Sequence, residues 1–362
     1  MPKRILIAPD KFKNSLTAIE VAQAIAFGIN RTNPSAHIQI LPIADGGEGT
    51  SELFEVLGFQ KTQLSSYDAL GREIKTFYLQ KSNVAVVELA KSAGIELISS
   101  NGLDPMKAST FGTGIVIKDA IEAGIKEIIL TLGGSATVDG GIGILSALGF
   151  KLKDSHGEVL TANGKNLSQV REVIPPANNF IKDTKFVILC DVTNPLLGEM
   201  GAAKVFGPQK GATPAMVEEL ENGLANLAEI FTHSDPDLPG MGAAGGVAFS
   251  LSQFFKVEIL SGIEFLVNQL NLIEAIKNSD LLITGEGKFD DQSLLGKGPY
   301  YLAQIAKEHR KKSILVCGLA TVESNIFESI YQLATIEPDI NKSISNAGEI
   351  LNQIGEKIGE NI

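Results

Sequence analysis

Acidic residues close several apolar runs of this sequence. "ILIAPD" ends at Asp10, "ILPIAD" at Asp45, "FVILCD" at Asp191, and "LLITGEG" carries Glu286 between Gly285 and Gly287. A fifth run, "IILTLGGS", ends instead in Gly133, Gly134 and Ser135, with Asp139 shortly beyond. In open α/β sheets, ligands sit outside the carboxyl ends of the strands. Acids there can hold a divalent cation or take a proton, and glycine turns can present backbone N–H groups to an anion. Asp and Ser also favour strand-to-helix loops as turn formers and N-caps, so a single such acid says little. Four of them on separate runs mark the rim of a site.

Two further segments fit that chemistry. "ADGGEGT" (44–50) sets adjacent glycines and Glu48 before a helix, and "GEGKFDDQS" (285–293) adds Lys288, Asp290 and Asp291. Together with Lys11, Lys13 and Lys210, these residues suit phosphoryl transfer. That reaction needs donors and cations around the phosphate, carboxylates for Mg²⁺ and a base near the acceptor hydroxyl. No G-x-x-x-x-G-K-[ST] motif occurs, and the protein-kinase signature set is missing. "GMGAAGG" (240–246) contains G-x-G-x-x-G, but it follows the prolines of "HSDPDLP" rather than a strand, which reads as close backbone packing. The four histidines lie outside these motifs, which speaks against a Ser-His-Asp hydrolase or a His-ligated metal. The residues by themselves leave phosphoryl transfer and other anionic-ligand chemistry open.

The elements that would carry these residues read as follows. "RILIAP" is a short buried strand. Thr17 and Glu20 form a capping box for a helix whose apolar face is Val21, Ala22, Ile25, Ala26 and Ile29. "HIQILPIAD" is a second strand and "TSELFEVLG" a second helix, stopped by Gly58. The middle of the chain changes character, with a hairpin around Leu70-Gly71, then strands at "VAVVELA", "KEIILTL" and "KFVILCD" and a helix opened by Thr213-Pro214. Alternating strands and helices return at "DLLITGEG", "SILVCG" and "YQLATI". The pattern predicts two α/β domains: a Rossmann-like one with a mostly parallel sheet from 1–60 plus 275–362, and a mixed α/β domain inserted over 61–274.

Composition agrees with a globular enzyme. The 362 residues are 44% hydrophobic and 20% charged, enough for two cores. A net charge of −11 without Lys/Arg runs argues against nucleic acid or a membrane surface as partner, so an anionic ligand must be held by local donors. Cys190 and Cys317 each end an apolar run and read as buried strand residues in a reducing compartment. With no apolar run near 18 residues and no leader-like start, a cytoplasmic location is expected.

Eight segments, in order, resemble the type I glycerate kinase family: "APDKFKNSLTA", "PIADGGEGT", "STFGTG", "LGGSATVDGGIG", "CDVTNPLLGEMGAAKVFGPQKGA", "GAAGG", "SGIEF" and "TGEGKFDDQSLLGK". The resemblance implies ATP- and Mg²⁺-dependent phosphorylation of glycerate, most often D-glycerate and usually to the 2-phospho ester. It implies glycerate and a nucleotide as partners, and it admits a homodimer. On this reading Asp191 and Lys210 are catalytic, and Asp10, Lys13 and Ser15 bind substrate. Gly133, Gly134, Ser135, Gly285, Glu286 and Gly287 bind phosphate or nucleotide, and Asp45 and Asp290 lie at the metal. A kinase for another small hydroxy acid and a catalytically weak metabolite-binding member are the alternatives. Four positions depart from the usual family text: Lys11, Asn14, Ile115 and Val138. The last two are apolar where the family is polar, which bears on substrate preference if those positions touch ligand.

Overall fold

The structure, a computed structural model, describes residues 2–44, 50–177, 181, 183–296 and 298–362. In chain order its strands are β1 (Arg4–Ile7), β2 (His37–Ile40), β3 (Gln60–Tyr67), β4 (Glu73–Lys81), β5 (Val84–Glu88), β6 (Glu127–Thr131) and β7 (Lys151–Lys153). There follow β8 (Glu172–Ile174), β9 (Lys185–Leu189), β10 (Lys256–Leu260), β11 (Leu281–Phe289), β12 (Lys312–Ala320) and β13 (Ser329–Gln332). The chain divides into two compact units, one of 1–45 with 262–362 and one of 46–261. Against the expected bounds of 60/61 and 274/275, the helix Thr50–Val56 falls in the inserted unit and the helix Gly262–Gln269 in the discontinuous one.

The discontinuous unit is built on a five-stranded sheet in the order β13-β12-β11-β1-β2, with every neighbouring pair parallel. β1 is buried on both faces, as a central parallel strand must be. Ile5 and Ile7 face a core with Val21, Ile25 and Ile29 of the helix Ala18–Thr32. Leu6 and Ala8 face a second core with Leu302 and Ile305 of the helix Gly298–Glu308. The chain therefore leaves the adjacent strands β1 and β11 toward opposite faces. That makes their carboxyl ends the switch point of the sheet, the place where open α/β sheets form a crevice.

The helix Ala18–Thr32 starts as its sequence predicts. Thr17 Oγ1 accepts the Glu20 N–H at 3.3 Å, and the Glu20 carboxylate accepts the Thr17 N–H at 2.9 Å. Its apolar face, Val21, Ala22, Ile25, Ala26 and Ile29, is buried throughout. It packs against the C-terminal helix Ala347–Glu360 at very short range. A Cβ built on Gly28 would lie 2.0 Å from the Asn352 carbonyl oxygen, and one on Gly355 would lie 2.3 Å from that of Ile25. "YQLATI" is only half strand: β13 ends at Gln332, and Leu333–Ile336 turn into a helical segment because Leu333 buries itself in the core beneath the first helix.

The inserted unit carries a six-stranded mixed sheet in the order β10-β9-β6-β5-β4-β3. β10, β9, β6 and β5 run parallel, while β4 and β3 add an antiparallel hairpin. The hairpin turn is held by Asp68, whose carboxylate accepts the Leu70 and Arg72 N–H groups at 2.9 Å each, with Gly71 at φ +81°. β7 and β8 form a separate two-stranded sheet. Gly242, Gly245 and Gly246 of "GMGAAGG" are packing glycines, as the sequence suggests. A Cβ on Gly242 would meet the Pro195 carbonyl oxygen at 2.2 Å, and one on Gly245 the Thr137 carbonyl oxygen at 2.4 Å.

The apposed glycines of the first and last helices give a stability test. Gly28→Val forces the two backbones apart, and its denaturant midpoint should fall by the equivalent of about 3 kcal/mol. Equilibrium urea unfolding checks this, with Phe27→Ala on the 56%-exposed neighbour staying near wild type.

Candidate active site

In the inserted unit, the parallel strands bring a set of polar residues to one edge of the sheet. Glu88 ends β5, Gly133-Gly134-Ser135 follow β6, Asp191 follows β9, and Ser261 follows β10. Glu88 is buried, and its carboxylate accepts the Ser51 N–H at 2.5 Å, in the first turn of the helix Thr50–Val56. Asp191 is exposed and accepts the Ser261 hydroxyl at 3.1 Å. β6 and β9 are neighbours, so the glycine turn and Asp191 lie at adjacent strand ends.

The turn after β6 is pinned by its flanks and open at its tip. The Gly134 carbonyl accepts the Ile95 N–H at 2.8 Å, and Ala136 N–H donates to the Ala93 carbonyl at 2.8 Å. Gly134 takes φ +71°, where glycine carries no Cβ penalty. Gly133 and Gly134 are exposed, and no acceptor among the described residues takes either N–H. Backbone donors left open at a strand end are groups that an anion can use.

Two buried charges hold this turn from below. Lys210 is only 3% exposed, and its ammonium donates to Ser135 Oγ at 2.8 Å and to the Thr137 carbonyl at 2.7 Å. Burial pushes its pKa down to about 7, against a weaker upward pull from Asp139. Asp139 is fully buried and accepts four hydrogen bonds. They come from the Thr110 N–H at 2.7 Å, the Thr110 hydroxyl at 2.8 Å, the Gly141 N–H at 3.1 Å and the Gly143 N–H at 3.2 Å. Burial raises its pKa, and those four donors oppose the rise. Val138 immediately precedes Asp139, and its side chain is wholly inside the hydrophobic core.

The discontinuous unit holds a cleft of about 710 Å³ at the carboxyl ends of β1 and β11. Asp10, Lys13 and Ser15 line it together with Glu286 and Gly287, so residues expected in two separate roles meet in one place. The β1 loop is a tight turn in which Phe12 N–H donates to the Leu16 carbonyl at 2.9 Å. Asn14 stands at its apex with φ +61°, the left-handed conformation that Asn tolerates in place of the family's glycine. Ser15 turns its hydroxyl to the Ile344 carbonyl at 2.8 Å, closing one side. Gly285 is instead packed between strands, since a Cβ there would lie 2.2 Å from the Val316 carbonyl oxygen.

Of the expected metal residues, Asp290 is not among those lining the cleft. Asp290 pairs with Lys288 at 3.1 Å and accepts the Gln292 N–H at 3.1 Å in its own turn. Asp45 lies outside the described residues. Among those residues, no group of three or more His, Cys, Asp or Glu is placed to cage a metal ion. Both thiols are kept neutral, Cys190 pushed up to about 11 and Cys317 to about 12, in each case chiefly by burial. No helix among the described residues is long and apolar enough to cross a membrane.

Glu88, Ser261 and the wall formed by residues 333–347 were not legible as site features in the sequence. Glu88 ends a strand like the other acids, but the run "VAVVELA" continues past it and hides the boundary. Ser261 opens the family-like segment "SGIEF", but nothing in its type or spacing marked it as a partner of Asp191.

Parallel α/β units with strand-end acids, glycine turns and a buried lysine define a group-transfer enzyme that handles anionic ligands. The chain belongs to the glycerate kinase family, whose model matches residues 5–362, and it is accordingly a kinase. It is 41% identical to a glycerate 2-kinase of Escherichia coli (strain K12) over 327 residues, covering 88% of this chain and 86% of that one. It is 35% identical to a glycerate kinase of Bacillus subtilis (strain 168), covering 91% and 87%. A crystal structure from Salmonella typhimurium LT2, described as glycerate kinase 2, superposes with a TM-score of 0.88 at 36% identity and covers 100% of this chain and 98% of its own.

The two buried charges give separate predictions. Asp139→Ala strands the Thr110, Gly141 and Gly143 donors and should cost about 2–4 kcal/mol in urea unfolding. For Lys210, the folded pKa of about 7 lies below the ordinary lysine value. Between those two values the unfolded chain binds more protons than the folded one, so stability contributed at this site rises with pH. The wild type should therefore gain stability relative to Lys210→Met as pH is raised from 7 to 9, read from paired denaturation curves.

Proposed function

We propose that this chain transfers the γ-phosphoryl group of ATP to glycerate, D-glycerate in preference, and releases 2-phosphoglycerate and ADP. The observation that carries this reading is the juxtaposition at the edge of the inserted sheet. The two open N–H groups of Gly133 and Gly134 lie at the end of the strand beside the one that ends in Asp191. Asp191 takes the proton of the attacking hydroxyl as its oxygen bonds to the γ-phosphorus and the bond from that phosphorus to the β-bridging oxygen breaks. Gly133, Gly134 and Ser135 donate hydrogen bonds to the oxygens of the moving group or the glycerate carboxylate. Lys210 holds Ser135 and the turn in place from beneath.

Mg²⁺ needs only one or two protein carboxylates when it rides on nucleotide phosphates. Asp10 and Glu286 line one cleft and would supply such carboxylates to the ion there. Bound there, Mg²⁺ neutralises phosphate charge. Val138 gives no reason to replace glycerate by another hydroxy acid, because its side chain is buried in the core and faces no ligand.

A coupled ADP-release assay on D-glycerate, L-glycerate and other small hydroxy acids tests the reading, with phosphorus NMR locating the phosphate on the product. Turnover should be fastest on D-glycerate and give the 2-phospho ester. Asp191→Asn should lower kcat by about 10²–10⁴-fold and leave the KM for ATP within about twofold. Unchanged kcat removes Asp191 as the base.

A further inference from the structure

The cleft of the discontinuous unit is two-faced. One wall is the segment that follows β13, where Leu333, Ala334, Pro338, Ile340 and Ile344 line the space. Across from it the lining comes from the loop after β1 and from β11, and it carries Lys11, Lys13 and Lys288, the last paired with Asp290, beside the carboxylates of Asp10 and Glu286. The backbone is bare between Gly287 and Gly318, where a Cβ on Gly318 would lie 2.4 Å from the Gly287 carbonyl oxygen. Leu319, Ile340 and Ile344, all lining residues, remain 40%, 70% and 38% exposed. Apolar surface gathered in a concavity and left in water marks a place that a ligand covers.

Such a cleft selects for a ligand with a flat, largely apolar end and an anionic end. A three-carbon hydroxy acid has no apolar part to cover Leu319, Ile340 and Ile344, and it is far smaller than a volume of about 710 Å³. A nucleoside phosphate has both ends, and cavities of roughly 300–1,000 Å³ are usual for ligands of that size. Glu337 and Ser343 on the same wall offer an acceptor and a hydroxyl to the edge of a base. The position agrees with the sheet, because the switch point between β1 and β11 is where nucleotides lie on open parallel sheets.

We propose that this cleft seats the phosphoryl donor, with the base and ribose against the 333–347 wall and the phosphates toward Lys13. This rests on the reading of the chain as a nucleotide-dependent kinase. It moves Asp10, Lys13 and Ser15 from the acceptor to the donor, and it assigns a role to Ala334, Ile340 and Ile344.

The 362-residue chain has no tryptophan, which allows a direct test. Ile340→Trp places a single indole on the apolar wall. Its emission should shift and saturate on titration with ADP, and D-glycerate alone should leave it unchanged. Ala334→Trp fills the cleft, and calorimetry should show ADP binding weakened at least tenfold while the KM for D-glycerate stays within twofold. Circular dichroism confirms that each variant is folded, and the exposed Ile340 position carries the test if Ala334→Trp is not. Emission that responds to D-glycerate and not to ADP overturns the proposal, as does unchanged ADP affinity in folded Ala334→Trp. ADP binding that is lost in Ala334→Trp, in a protein that turns over no hydroxy acid, keeps the cleft assignment and removes the glycerate reading.

Discussion

The carboxylate of Asp139 is the constraint on which the inserted unit's edge depends. A buried carboxylate is costly unless it is surrounded by donors. Here the donors are the Thr110 N–H and hydroxyl and the amides of Gly141 and Gly143. Because they come from two segments distant in sequence, satisfying the charge fixes the chain after β6 against the start of the helix Phe111–Glu122. Thr110 Oγ1 extends the same network by accepting the Ile144 N–H at 3.0 Å. Gly140 and Gly141 both take positive φ to wrap the carboxylate, and a side chain on Gly141 would strike the backbone of Val247. With its interior fixed in this way, the turn can leave Gly133 and Gly134 open at the tip.

Lys210 completes the arrangement from the other side. It comes from a short 3₁₀ turn, Pro208–Lys210, that ends in Gly211 at φ +92°. Its ammonium reaches Ser135 and Thr137, the residues between the open tip and Asp139. An almost fully buried lysine with a pKa near 7 is a poor structural choice, since apolar packing would be more stable there. Its ammonium fixes Ser135 and the Thr137 carbonyl beneath the two open N–H groups. An anion bound at those N–H groups would favour the protonated form, so that ligand and ammonium would stabilise each other.

Much of this was legible in the sequence, and what was not has physical causes. The capping box at Thr17, the apolar face from Val21 to Ile29 and the glycine stop at Gly58 are local signals, and the structure follows them. Asp10 and Asp191 stand just beyond the ends of β1 and β9, because an acid after an apolar run is itself a local signal, whereas Glu286 lies inside β11, which runs on to Phe289. Which strands lie side by side is a long-range fact: the sequence pattern put Asp10 and Asp191 in different domains, but it did not show that Glu88, Gly133 and Asp191 follow neighbouring strands of one sheet. The 333–347 wall was hidden because "YQLATI" has the composition of a strand, while burial of Leu333 turns the chain into a helical segment. Val138 looked like a ligand-facing departure from the family pattern, yet it is a core residue. A loop sequence does not reveal which of its side chains turn inward.

The buried Asp139 carboxylate holds the chain after β6 in one rigid conformation. Amide hydrogen exchange on the ligand-free protein tests it most directly. The Gly141 and Gly143 amides should exchange as slowly as those of β6, through global unfolding alone, while Gly133 and Gly134 exchange freely. Fast exchange at Gly141 and Gly143 alongside a protected β6 would contradict it, because the carboxylate would then not be holding the turn.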